Sequence, residues 1–144
     1  MMNGSRPQHP LVMALIAEIE PSALAIDDEG RVLLSMSPGL VLGIDYLEEA
    51  ETFLLFADLG SLPTDPQAAD EIRKALLEEN LGSASASGAA FAVDAETGLV
   101  ALFAKRPAAG MTPESFEDWV GDVGERAEAW PIRLMPDEER EAAA

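Results

Sequence analysis

Residues 52–59, Thr-Phe-Leu-Leu-Phe-Ala-Asp-Leu (TFLLFADL), form the most strand-like stretch of the chain. Side chains alternate across a strand, so Phe53, Leu55, Ala57 and Leu59 share one face, and Leu54 and Phe56 lie on the other. A sheet with helices on one side only should be polar on its far face. This strand is apolar on both, and Leu33, Val100 and Leu102 break the same rule in neighbouring strands. Either a further layer covers the second face, or those side chains are held for another chain.

The flanking sequence sets the strand in an α+β domain. Downstream, Gly60-Ser61-Leu62-Pro63 stops it, and Thr64 or Asp65 caps a helix that begins at Pro66 and runs to about Asn80. Ala68, Ala69, Ile72, Ala75, Leu76 and Leu77 make that helix's broad apolar face, which suits either the core or a second copy of the chain. Segments 89–94 and 99–104 bracket Ala95-Glu96-Thr97-Gly98 as a hairpin. Thr112-Pro113 then opens a helix striped by Phe116, Trp119, Val120, Val123, Ala127 and Trp130. Upstream, Leu11, Val12, Leu15, Ile16 and Ile19 mark a helix over about 10–20, ended by Pro21. Segments 23–27 and 32–36 flank the turn Asp28-Glu29-Gly30, with Val32, Leu34 and Met36 on one face. Leu42, Ile44 and Tyr46 alternate with Val41, Gly43 and Asp45 in a third strand. The expected order is α-β-β-β(-β)-α-β-β-α: an antiparallel sheet with three helices on one face. Residues 1–9 read as a flexible arm, 10–134 as a single domain and 135–144 as an acidic flexible tail.

Composition narrows the function. The 144 residues carry 9 Lys plus Arg against 27 Asp plus Glu, a net charge of −18, yet 48% are hydrophobic. That apolar content argues for a folded chain, and the charge argues against a nucleic-acid binder. No apolar run is long enough to span a bilayer, so no membrane partner is expected. With no Cys and a single His, thiolate and multi-His metal sites and histidine triads drop out. The acidic groups Asp27-Asp28-Glu29 and Asp45/Glu48/Glu49/Glu51 lack calcium-loop spacing. Glu51 and Asp58 have no identifiable catalytic partner, and Ser83, Ser85 and Ser87 lack a nucleophile frame. No enzyme, cofactor or metal is expected.

Six strings in this order resemble the Tir chaperone (CesT) family of class I type III secretion chaperones. They are LVMALIAEI (11–19), LAIDDEGRVLLSM (24–36), EAETFLLFADLGSLP (49–63), IRKALLEEN (72–80), SGAAFAVDAETGLVALFAKRP (87–107) and ESFEDWVGDVGERAEAW (114–130). The resemblance spans about 11–134, and it departs at Pro21-Ser22, where many relatives continue with Leu-Gly. It implies a homodimer in the bacterial cytoplasm that binds a secreted effector near its N-terminus in extended form, without nucleotide. On that reading Leu33, Leu54 and Phe56 face the effector, and Ile72, Leu76, Leu77, Val100 and Leu102 belong to the dimer interface. The competing expectation is a small-molecule or lipid carrier whose two-sided strands line an apolar cavity.

Overall fold

A computed structural model of the chain describes residues 8–37, 39–83 and 88–130. Residues 1–7 of the expected arm, Ser85 and Ser87, the side chain of Ser83, residues 131–134 of the expected domain and the expected tail 135–144 lie outside the described residues.

Helix α1 (Pro10–Ile16) is capped by His9, whose Nδ1 accepts from the Leu11 N–H at 3.0 Å. The ring of His9 packs against Tyr46 and Phe53, and Gln8 donates to the Gly30 carbonyl. Gln8 and His9 therefore belong to the folded unit rather than to the arm. The helix ends four residues before the expected Glu20. Pro21 holds Glu20 in extended backbone, and the chain before it tightens through short bonds from Glu18 N to Leu15 O and from Ile19 N to Ile16 O.

A 3-10 turn (Pro21–Ala23) leads to β1 (Leu24–Ile26), followed by β2 (Val32–Ser37), β3 (Leu40–Leu47) and β4 (Thr52–Ser61). Helix α2 (Pro66–Ser83) comes next, then β5 (Ala89–Val93), β6 (Leu99–Pro107) and α3 (Pro113–Glu128). The turn between β1 and β2 is built by Asp27, whose Oδ1 accepts from the Glu29 and Arg31 N–H groups, and by Gly30 at φ 83°. Asp65 caps α2 through the Ala68 N–H, and Thr112 with Ser115 forms a reciprocal cap on α3.

The six strands form one antiparallel sheet in the order β1-β2-β3-β4-β6-β5. The inner face carries Val32, Leu34, Leu42, Ile44, Phe53, Leu55, Val100 and Leu102, all nearly or wholly buried with Phe116, Trp119 and Val123 of α3. Two expectations are corrected here. Val100 and Leu102 are 0% exposed and Leu76 is 3% exposed, so these three fill the protomer's own core and have no surface to offer a second copy. In β6 the outward residues are Ala101, Phe103 and Lys105, paired with Asp58, Phe56 and Leu54.

Helix α2 runs to Ser83 rather than stopping at Asn80, and it packs against β5. Asn80 reaches the backbone of that edge strand. Its Oδ1 accepts from the Phe91 N–H at 2.7 Å and its Nδ2 donates to the Phe91 carbonyl at 3.1 Å. The amide stands in for one residue of a seventh strand and closes the edge at that point.

Candidate binding faces

The outer face is organised by register. Ala25 lies opposite Leu33, Leu33 opposite Gly43, Gly43 opposite Phe56, Phe56 opposite Phe103, and Phe103 opposite Ala90. One transverse row thus crosses all six strands without a charged residue. A second row pairs Asp45 with Leu54 and Leu54 with Lys105, which places charge at both ends of an apolar residue. Among the described residues, no helix lies over these side chains.

Leu33, Leu54 and Phe56 occupy this face, half-buried, with Val32, Leu34 and Met36 turned toward the helices as the period-2 pattern requires. Phe56 is held from two sides. Its ring lies over Gly43, where a Cβ would overlap the ring atoms, and the Arg31 guanidinium sits 5.2 Å from its centroid. Arg31 is itself fixed by Asp27 at 2.7 Å and Glu29 at 3.3 Å. Burial works to raise the Asp27 carboxyl pKa, but the Arg31 and Glu29 N–H groups and the Arg31 side chain outweigh it and hold the pKa below its ordinary value. The acidic turn therefore anchors the cation that stacks on Phe56.

Beside that ring a cleft of about 300 Å³ is lined by Leu33, Gly39, Val41, Gly43, Phe56 and Asp58. Sequence reading missed Val41 and Phe103, which are 44% and 42% exposed. The signal was present in the alternation of β3 and β6, but the register that joins them to Phe56 is a pairing between distant segments.

A different surface belongs to α2. Leu77 is 68% and Leu81 83% exposed, one turn apart on the same side of the helix, and Ile72 is half-buried. Leu81 escaped notice because the helix was expected to end before it.

A further cleft of about 300 Å³ runs between α1 and α3, lined in part by Leu15, Ile19, Met36 and Val120, with Glu18 and Glu117 also on its wall. A hydrogen bond with the Glu18 carboxyl, and that group's negative charge, push the Glu117 pKa above its ordinary value. Asp94, in the turn between β5 and β6, is held low by the Glu96 N–H and the Thr97 hydroxyl.

No helix among the described residues is long and apolar enough to cross a membrane. No curated protein sequence matches the chain significantly. Solved structures do. A chain of the ExsC–ExsE complex is 28% identical, with a TM-score of 0.65 over 86% of this chain and 90% of that one. A chain of the HopA1–SchA chaperone–effector complex is 19% identical, with a TM-score of 0.61 over 83% and 88% of the two chains. A chain of the heterodimeric ExoU–SpcU complex from the type III secretion system of Pseudomonas aeruginosa is 20% identical, with a TM-score of 0.59 over 85% and 94%. The latter two share the fold. The model of the Tir chaperone protein (CesT) family matches residues 11–131, almost the whole described unit. With its α+β architecture and six-stranded antiparallel sheet, this chain belongs to the Tir chaperone protein (CesT) family.

Proposed function

We propose that this chain is a homodimeric type III secretion chaperone. It holds a segment near the N-terminus of a secreted effector in extended form, in the bacterial cytoplasm, and it uses no nucleotide or other cofactor. The observation that carries the reading is the apolar row Leu33, Gly43, Phe56 and Phe103 on a sheet face that no described helix covers, in a chain of this family. The similarity to a chain of the ExsC–ExsE complex supports the same reading.

The physical logic is that of a preformed docking surface. An effector segment kept from folding still has apolar side chains to shelter, and a rigid sheet meets them without a further ordering cost to the chaperone. Leu33, Leu54 and Phe56 are the effector contacts in this proposal. A net charge of −18 keeps so apolar a surface soluble and favours cargo with basic segments. Dimerisation is assigned to α2 through Leu77 and Leu81, with Ile72 at the margin. Leu76, Val100 and Leu102 are excluded by their burial in the protomer.

Co-expression with N-terminal fragments of secreted proteins from the same bacterium tests the reading. A fragment should co-purify with the wild type, and Phe56→Asp should lose it while remaining folded. Identical behaviour of wild type and Phe56→Asp toward every fragment would overturn the proposal, as would a monomeric mass by light scattering at micromolar concentration.

A further inference from the structure

The cleft beside Phe56 is not uniformly apolar. Five of its lining residues are Leu33, Gly39, Val41, Gly43 and Phe56, and the sixth is Asp58, an exposed carboxylate with no cationic partner among the described residues. Asp58 stands two positions beyond Phe56 on β4, hence on the same face and about 6.6 Å further along the strand. A volume of about 300 Å³ is at the small end of ligand pockets. It suits a side chain or two rather than a whole metabolite. Gly43 creates the floor, since any Cβ there would displace the Phe56 ring into the space. Arg31, the cation over the Phe56 ring, is not part of the cleft lining and is already committed to Asp27 and Glu29, so it leaves Asp58 uncompensated.

We propose that this cleft is a two-part reader for the cargo: it seats one apolar side chain of an extended protein segment, and Asp58 pairs with a Lys or Arg within two positions of that anchor. The inference rests on the effector-binding reading and adds a sequence preference to it. The occupant is argued from charge complementarity: an acidic group on the wall of an apolar cleft, in a chain of net charge −18, selects a basic neighbour beside the apolar anchor and repels an acidic one.

The test uses the full chain, isotopically labelled for NMR, and two synthetic peptides, acetyl-Ser-Leu-Ser-Lys-Ser-amide and its Lys→Glu counterpart. The Lys peptide should shift the amide signals of Leu33, Val41 and Gly43 and bind about fivefold more tightly than the Glu peptide, the ratio that one partly exposed ion pair supports. Asp58→Asn should abolish that ratio. Glu125→Lys, a larger charge change on α3, should leave it intact. Equal affinity for the two peptides, a ratio unchanged in Asp58→Asn, or shifts confined to residues away from the cleft would each overturn the inference. The first two results would leave effector binding through the apolar row standing.

Discussion

The two faces of the sheet are made from the same strands, residue by residue in alternation, and they differ sharply in exposure. In β4, Phe53, Leu55, Ala57 and Leu59 are 0–3% exposed, sealed beneath helices, while Leu54 and Phe56 between them remain half open. In β6, Leu102 is fully buried and Phe103, the next residue, is 42% exposed. Apolar content alone does not distinguish the faces. The inner face is closed by Phe116, Trp119 and Val123. The outer face ends in a register-aligned row with charge beside it. Apolar area removed from water within the protomer contributes to folding. The area left outside contributes only when a partner arrives.

Truncating each face should separate these roles. Phe53→Ala removes a fully buried ring that contacts His9, Tyr46 and Phe116, and it should cost about 3–5 kcal/mol in chemical denaturation. Phe56→Ala should cost much less than Phe53→Ala in the same measurement and register instead as lost effector. Equal losses of stability would erase the distinction between the faces. Asn80→Ala comes next: it strips both hydrogen bonds from Phe91 at the β5 edge and should cost about 1–3 kcal/mol, with faster amide exchange at Phe91. The double change Leu77→Asp, Leu81→Asp alters an exposed helix side and should move protomer stability by only about 0.5 kcal/mol per site. Light scattering should nevertheless show the mass halved.

The smallest effect expected is at the α1–α3 cleft. Glu117 has a raised pKa because of Glu18 first, with Asp118 and Glu114 adding to it, so the folded chain holds that proton more tightly than the unfolded chain does. The resulting cost is therefore present at neutral pH and is relieved as the pH falls through the raised pKa. Glu117→Gln should raise the melting temperature slightly at pH 7, and the gain should vanish in the ordinary carboxylate range. A gain that persists at acid pH would point to packing rather than charge.

Much of this arrangement was legible in the chain itself. Helix and strand periods, the turn before Arg31, a cap at Thr64 or Asp65, the helix opening at Thr112-Pro113 and the two-faced character of 52–59 are local, and each depends on residues within a few positions of one another. The phase of Leu33, Leu54 and Phe56 follows from the same period of two. Other features were out of reach because their causes are distant in sequence. Asn80 looks like a helix end until Phe91 is brought beside it. His9 looks unpatterned until Tyr46 and Phe53 supply its neighbours.

By itself, then, the sequence determined which segments are helices and strands, though not where α1 and α2 end, and that some strands are apolar on both sides, since backbone geometry and side-chain alternation are settled over a few residues. Only the tertiary structure decided which of those apolar residues are left outside. Val100, Leu102 and Leu76 went into the core, and Leu33, Gly43, Phe56 and Phe103 came into one row, because strand order and register depend on pairings between segments far apart in the chain.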